Sequence, residues 1–248
     1  VSGYTYPTIY GPIKASIGNA FTIVQPTNGL NFVLPAPQQI GGIADFEPTK
    51  MAGWLSTYQL GTGGDSYGGQ TTLSQAAQLT LMAQQLNDPN YGRLLNILRT
   101  GVTNWLTYQA GDNKFYTYYP KDKALIAYPP AFGSEHYTDL HFHLGYLTSS
   151  AAVLAMLDQT WAANYGAMVT MVARSYANWD RADTSEPYLR TFNPWRGHSY
   201  ADGLGDSLGN QGNNQESVSE AVQSWQGLAL LGQALNNAAM TNAGMMGY

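Results

Sequence analysis

The sequence Asn214-Gln215-Glu216-Ser217-Val218-Ser219-Glu220-Ala221 introduces an apolar run with helical spacing that continues through Trp225, Leu228, Leu231 and Leu235. This periodicity predicts a helix over residues 216–235. Two carboxylates four residues apart on a helix point the same way and repel each other, so a purely structural helix gains nothing from Glu216 and Glu220. The pair therefore indicates chemistry. The alternative is a solvated first turn, in which the helix dipole favours acidic residues.

The composition favours a protein that handles neutral, polar ligands. The chain has 248 residues, of which 11% are charged, against roughly 25% in an average domain. This length fits one large domain, or one domain with a small appendage. Eighteen Tyr and six Trp suit a surface for hydroxyl-rich ligands, although a Tyr-rich core would explain the same content.

Charge and cysteine content exclude several classes of function. A net charge of -5 and only eleven Lys and Arg argue against nucleic acid, because phosphate contacts need many cations. No basic cluster is present to hold a membrane surface, and we expect no apolar run to approach the roughly 18 residues of a membrane span. Because the chain has no cysteine, disulfides, thiolate metal sites and a cysteine nucleophile are excluded.

The pattern along the chain predicts an all-α domain over residues 46–248, after an extended or β linker segment over residues 1–45. The segment is rich in proline and has β-leaning runs at 21–24 and 31–34. Helical spacing then recurs over 71–86, 91–108, 139–157, 161–179 and 216–235, with a short helix at 49–59. The long joins 109–138 and 180–213 are expected to be functional loops at one end of helical hairpins.

A second motif, Thr138-Asp139-Leu140-His141-Phe142-His143, places an acid beside two histidines. Asp139 and His143 are four residues apart and share a helix face. Asp139 can be a helix N-cap with the histidines satisfied in the core, or these residues can belong to a metal site. Two residues on a helix that are two positions apart diverge by about 200°. This spacing of His141 and His143 disfavours a two-histidine site, so no metal is expected.

Two clusters rich in glycine and aromatic residues, at 63–70 and 192–203, indicate sugar binding. Aromatic faces stack on sugar rings, and glycine allows close approach of the backbone. Neither cluster has the spacing of a phosphate-binding loop.

Five motifs, in order, resemble those of glycoside hydrolase family 81. They are Asp65-Ser66-Tyr67-Gly68-Gly69, Phe132-Gly133-Ser134, Asp139-Leu140-His141-Phe142-His143-Leu144-Gly145-Tyr146, Gly197-His198-Ser199-Tyr200-Ala201-Asp202-Gly203 and the 214–221 stretch. The resemblance implies an inverting endo-β-1,3-glucanase. It also implies an (α/α)6 toroid as catalytic domain, which follows a β-sandwich and a small linking domain in full-length members.

The resemblance assigns roles to individual residues. Asp139 matches the general acid, Glu216 the general base, and Glu220 a second essential glutamate. The positions matching substrate-binding residues are His143, Tyr67, Asp65, His198 and Trp195. The resemblance further implies a β-1,3-glucan polysaccharide or oligosaccharide as partner, no cofactor, a monomer, and secretion to the extracellular space.

The number of helices predicts an incomplete toroid. Five or six helices are indicated, whereas six hairpins require about twelve. We therefore expect a fragment or an unusually short member of the family. A non-catalytic β-glucan-binding module, or an inactive fragment, is accordingly an alternative function.

The chemistry of glycoside hydrolysis agrees with these assignments, because it needs two carboxyl groups on either side of the scissile bond. Asp139 and Glu216 open different helices after long loops, so they can face each other across a cleft. Asp139 must stay protonated near neutral pH, which burial or a neighbouring carboxylate achieves. A metal-dependent hydrolase that uses Asp139, His143, Glu216 and Glu220 is the alternative from another class.

Overall fold

The structure is a computed structural model that describes residues 4–8, 11–15, 17–20, 32–33, 39–40, 43–44, 48–61, 63–194, 196–203 and 214–248. The chain divides into two compact units, Val1–Asn31 and Phe32–Tyr248. In the first unit, strands β1 (Thr5–Thr8) and β2 (Gly11–Lys14) form an antiparallel pair. The predicted boundary between residues 45 and 46 stays a prediction, since residues 45–47 lie outside the described part.

Seven α-helices dominate the described residues of the second unit. The first is preceded by a short antiparallel pair, β3 (Gln39–Ile40) and β4 (Ile43–Ala44). The helices are α1 (Pro48–Thr57), α2 (Gly68–Gln85), α3 (Tyr91–Leu106), α4 (Leu140–Leu157), α5 (Gln159–Ala177), α6 (Val218–Ala234) and α7 (Ala238–Gly247). Two hairpins lie in the long joins: β5 (Phe115–Tyr119) with β6 (Ala124–Tyr128), and β7 (Phe192–Asn193) with β8 (His198–Ser199).

Short polar side chains define where several helices begin. Asp158 accepts a hydrogen bond from the Trp161 amide at 2.9 Å, and Asn237 accepts one from the Met240 amide at 3.1 Å. Ser217 accepts from the Glu220 amide at 3.4 Å. Each bond satisfies an N–H group that the first turn of a helix leaves unpaired. The cap at Ser217 therefore sets the start of α6.

Helix α4 forms the centre of the core. Fourteen of its eighteen residues are buried, and it packs against α2, α5 and α6. A Cβ added at Gly145 would lie 2.4 Å from the Cβ of Ser224 on α6. Since real atoms do not approach so closely, only glycine allows the two helices to touch at this point. This contact holds together the two helices that carry the candidate site.

The apolar character of α4 corrects one expectation from the sequence. By length and composition alone, Leu140–Leu157 is able to cross a membrane, with a mean hydropathy of 1.3. The expectation of no apolar run near that length is therefore wrong for this helix. However, 72% of the span is buried inside the protein, as expected for the core helix of a globular domain.

The predicted helices are confirmed, with corrected ends, but helix α7 was not predicted. The β5–β6 and β7–β8 hairpins were also missed, since they lie in the two joins that were expected to be loops. Of the β-leaning runs, residues 21–24 lie outside the described part of the chain. Residues Phe32 and Val33 of the other run are described and are not in a strand.

Candidate active site

Four carboxyl groups gather where α4 and α6 begin. Asp139 immediately precedes α4, Glu220 lies in the first turn of α6, and Glu216 and Asp202 lie in the preceding loops. The charges of Glu216, Glu220 and Asp202 all raise the pKa of Asp139. Because such effects weaken with distance, Asp139 lies within reach of the other three groups.

Asp139 is a buried acid without a hydrogen-bond partner for one of its oxygens. The residue is 7% exposed, and Oδ1 contacts no donor among the described residues. Burial, followed by the charges of Glu216, Glu220 and Asp202, raises the pKa of this carboxyl to about 7. Its backbone is left-handed (φ 55°), and its side chain makes no capping bond to α4. Asp139 therefore occupies the N-cap position, as one alternative predicted, but its side chain does not cap the helix.

The loop position of Glu216 corrects the prediction that it shares a helix with Glu220. Helix α6 begins at Val218, and Glu216 has a left-handed backbone (φ 57°). The Glu216 amide donates to Asn214 Oδ1 at 2.9 Å, and Asn214 Nδ2 donates to Glu216 Oε2 at 3.4 Å. This local turn competes with helix formation, so the helix does not extend back to Glu216. The carboxylate is exposed, so water reaches it.

Glu220 is held by two tyrosines from two other helices. Its Oε1 accepts hydrogen bonds from Tyr67 Oη at 2.8 Å and from Tyr146 Oη at 2.9 Å. Tyr67 occupies the N-cap position of α2, and Tyr146 lies on α4. Burial first, and then the hydrogen bond to Glu220, raises the pKa of both phenols. Both tyrosines are therefore neutral donors that fix one oxygen of the carboxylate.

The two histidines are buried and neutral. Nδ1 of His143 is hydrogen-bonded to Ser66 Oγ at 2.8 Å, while its Nε2 has no partner among the described residues. Burial lowers the pKa of His143 to about 4 and that of His141 to about 3. The ring of His143 lies 5.4 Å from that of Tyr67, so it belongs to the site.

Across the described part of the chain, no three His, Asp or Glu residues are grouped so as to hold a metal ion.

The remaining predicted residues differ in their relation to this cluster. Asp65 Oδ1 accepts from the amides of Tyr67 at 2.9 Å and Gly68 at 2.6 Å, so it orders the start of α2 and positions Tyr67. His198 Nδ1 donates to the Ser199 carbonyl at 2.8 Å, and its ring lies 5.0 Å from Tyr200. None of these contacts joins His198 to the carboxyl cluster. Trp195 lies outside the described residues.

Three residues of the site were missed from the sequence: Ser66, Tyr146 and Asp202. Tyr146 follows Asp139 by seven positions and His143 by three, so the three residues share one helix face. That spacing could have predicted that Tyr146 belongs to the site. No sequence pattern indicates Asp202, because a contact between two distant segments places it near Asp139: the Asp139 amide donates to the Ala201 carbonyl at 2.8 Å. Ser66 carries the hydrogen bond that orients His143.

The helical fold and its cluster of carboxyl groups place the chain among the all-α glycoside hydrolases. Residues 62–247 match the family described as "Glycosyl hydrolase family 81 C-terminal domain". The chain belongs to glycoside hydrolase family 81, as its motifs indicated.

Relatives and a solved structure agree with this assignment. The chain is 34% identical over 254 residues to a glucan endo-1,3-beta-D-glucosidase of Acetivibrio thermocellus, and 32% identical over 251 residues to one of Thermobifida fusca. These matches cover 99% and 97% of this chain but 32% of each relative. The chain thus spans about a third of the length of these relatives.

A solved structure with a similar fold is a glycoside hydrolase family 81 protein from Clostridium thermocellum, in a Glu-to-Ala variant. It superimposes with a TM-score of 0.81 and 31% identity, over 99% of this chain and 34% of that one. This likeness and the seven described helices confirm the predicted fold class, an all-α arrangement of the (α/α) toroid type.

Proposed function

We propose that this chain carries the acid and base of an inverting endo-β-1,3-glucanase. The observation that supports this most is the raised pKa of the buried Asp139 carboxyl. A buried carboxyl with a pKa of about 7 still holds its proton near neutral pH, as a general acid must. The printed names of the relatives point to a β-1,3-glucan substrate.

The proposed reaction uses Asp139 and Glu216 on opposite sides of the scissile bond. Asp139 gives its proton to the glycosidic oxygen as the bond from that oxygen to the anomeric carbon breaks. A water molecule attacks the anomeric carbon from the opposite face and loses a proton to Glu216. Room for this water requires the two carboxyl groups to be about 6.5–9.5 Å apart. The exposure of Glu216 supports its access to water.

Glu220 is proposed as a fixed negative charge rather than as the base. Tyr67 and Tyr146 occupy its Oε1, which leaves Oε2 to orient water or a sugar hydroxyl. Its charge also raises the pKa of Asp139 and so favours the protonated acid. His143 is neutral, and its buried Nε2 is unpaired among the described residues; we assign it to the support of the acid or of the sugar.

The protein is further proposed to act outside the cell. One relative, "Primary septum glucan endo-1,3-beta-D-glucosidase" of Schizosaccharomyces pombe, is 35% identical over 111 residues, which are 44% of this chain and 11% of that protein. A glucan polymer of septum or wall lies outside the membrane, which agrees with the predicted secretion.

The first prediction is that Asp139→Asn and Glu216→Gln each abolish the release of reducing sugar from laminarin. Each change removes proton transfer and preserves shape, so folding and glucan binding are expected to persist. Asp180→Asn, at an exposed loop acid after α5, is the matched control and is expected to retain full activity. Near wild-type turnover of either variant would contradict its assignment.

Two further measurements separate this proposal from its alternatives. Azide can replace the activated water once the base is gone, so it is expected to rescue Glu216→Ala but not Glu220→Ala. Rescue at Glu220 alone would exchange the two roles.

Activity is also expected to survive a chelator, whereas its loss would favour the metal-dependent hydrolase. Glucan binding without any hydrolysis would favour the non-catalytic module.

A further inference from the structure

The β5–β6 hairpin presents a layer of aromatic rings on the face turned away from the helical core. Side chains alternate between the two faces of a strand, and Phe115 pairs directly with Tyr128. Tyr116, Leu125 and Ala127 pack into the helical core. Phe115, Tyr119 and Tyr128 therefore occupy the opposite face, together with Ile126. Ile126 is only 2% exposed there.

The rings of this layer are ordered against one another. Phe115 and Tyr128 are stacked, with centroids 5.2 Å apart and planes 9° apart. Tyr108 packs edge-on against Phe115 at 5.2 Å, and the hydroxyls of Tyr119 and Tyr128 are hydrogen-bonded to each other. Tyr108 is nevertheless 64% exposed. The ring of Tyr108 thus packs against that of Phe115 while much of it faces water.

A second exposed ring, Phe132, lies beside the carboxyl cluster and follows Tyr128 of this layer by four positions in the chain. It is 67% exposed and packs edge-on against Tyr67 at 5.2 Å, and Tyr67 is the donor to Glu220. Its backbone is left-handed, with φ 51°, which is rare for a bulky residue. Such a conformation persists where its surroundings hold it.

The intervening segment is fixed to the site. The Ser66 amide donates to the Pro129 carbonyl at 2.8 Å, and the Ala131 amide donates to Ser66 Oγ at 3.1 Å. Phe132 follows Tyr128 by four positions, so their Cα atoms are at most about 14 Å apart. The short segment between Phe132 and the hairpin is therefore held against Ser66, beside the start of α2.

We propose that Phe132, Tyr128, Phe115 and Tyr108, hereafter the aromatic strip, form an extended binding surface for a β-glucan chain beyond the carboxyl cluster. Flat rings present apolar faces to the C–H faces of sugars, and phenol hydroxyls exchange hydrogen bonds with sugar hydroxyls. Continuity with Tyr67 favours a single chain that occupies the cluster and the strip together. The identity of this polymer rests on the proposed function.

The test measures how affinity depends on oligosaccharide length. β-1,3-Linked oligosaccharides of increasing length are titrated against Asp139→Asn protein, alone and combined with Tyr108→Ala or Phe132→Ala. We expect short oligosaccharides to bind equally well to all three proteins. The gain in affinity with length is expected to fall threefold to tenfold in the two combined variants, which is about the contribution of one ring contact. Tyr108→Phe, which keeps the ring, is expected to preserve most of the gain.

Trp54→Ala provides the matched control, since Trp54 is a 59% exposed aromatic on α1, and it is expected to leave the length dependence unchanged. Strip variants that behave like this control would overturn the inference. If the wild-type chain nevertheless hydrolyses the glucan, the proposed function is still supported. A change in oligomeric state on removing Tyr108 would also overturn it, by showing that a second copy covers the strip. Strip-dependent binding without hydrolysis by the wild type would support the strip and refute the proposed function.

Discussion

Asp139 shows how the environment of one residue converts a common side chain into an acid for neutral pH. Its ordinary carboxyl pKa of 3.8 rises to about 7, first because burial removes hydration and then because Glu216, Glu220 and Asp202 are nearby. Ionisation of Asp139 is unfavourable, because its buried Oδ1 has no hydrogen-bond donor among the described residues. The proton is therefore retained until the pH approaches 7.

The pH dependence of activity and stability is predicted from this shift. Hydrolysis is expected to decline as the pH rises through about 7, because Asp139 then loses the proton it donates. The folded chain binds a proton between about pH 4 and pH 7 that the unfolded chain does not, so stability falls as the pH rises through this window.

Asp139→Asn removes the penalty of ionising this buried group. The variant is expected to match the wild type in stability near pH 4 and to exceed it above pH 7, by at most about 4 kcal/mol. Urea unfolding at several pH values measures the difference. An equal difference at pH 4 and pH 8 would contradict the raised pKa of Asp139.

The two tyrosines on Glu220 lead to a further prediction. Tyr146→Phe removes one of the two donors to Oε1, and a hydrogen bond to a charged group contributes about 1.5–3 kcal/mol. We expect kcat to fall about tenfold to a hundredfold, with a changed pH–rate profile and little change in KM. Tyr165→Phe, whose ring stacks on Trp161, is the control. Equal kinetics of the two variants would show that the Tyr146 hydroxyl does not position Glu220.

At the level of elements, the site depends on the contact between three helices. Helix α4 follows Asp139 and carries His143 and Tyr146, α6 carries Glu220, and Tyr67 stands at the start of α2. The close approach of α4 and α6 at Gly145 sets the reach of the Tyr146 hydroxyl to Glu220. A small separation of these helices therefore affects catalysis as well as packing.

Gly145→Ala tests this coupling. The added methyl group would lie 2.4 Å from Ser224 Cβ and 3.0 Å from its Cα, so the helices must move apart. We expect a loss of about 1–3 kcal/mol in stability, together with lower kcat. Gly92→Ala, on α3 with nothing within 4 Å of the new Cβ, is expected to be stabilising by up to about 1 kcal/mol. Unchanged activity in a destabilised Gly145→Ala protein would contradict the prediction, by showing that the spacing of α4 and α6 does not affect catalysis.

Much of the helical framework was predictable from the sequence, whereas part of the site was not. Apolar spacing predicted α2 to α6, because packing on one face leaves a periodic trace. The same periodicity wrongly predicted that α6 includes Glu216. The turn made by Asn214 and the cap made by Ser217, which set the true start of the helix, do not alter the spacing of apolar residues. Asp202 and the tyrosine pair on Glu220 depend on contacts between distant segments, which a single sequence does not display.

At the level of the whole molecule, the chain contains all the proposed groups within about a third of the length of its relatives. Asp139, Glu216, Glu220 and their partners come from residues 65–220, inside the unit Phe32–Tyr248. We therefore propose that this chain itself hydrolyses β-1,3-glucan with inversion.

The most direct measurement is proton NMR of the new reducing end, recorded on wild-type protein with a β-1,3-glucan oligosaccharide before mutarotation. Attack by water opposite the leaving oxygen converts a β-linkage into an α-anomer. The α-anomeric signal is predicted to appear first, with the β signal growing later as the sugar equilibrates. Initial formation of the β-anomer, which would make a carboxylate the nucleophile, or the absence of any new reducing end, would contradict the account.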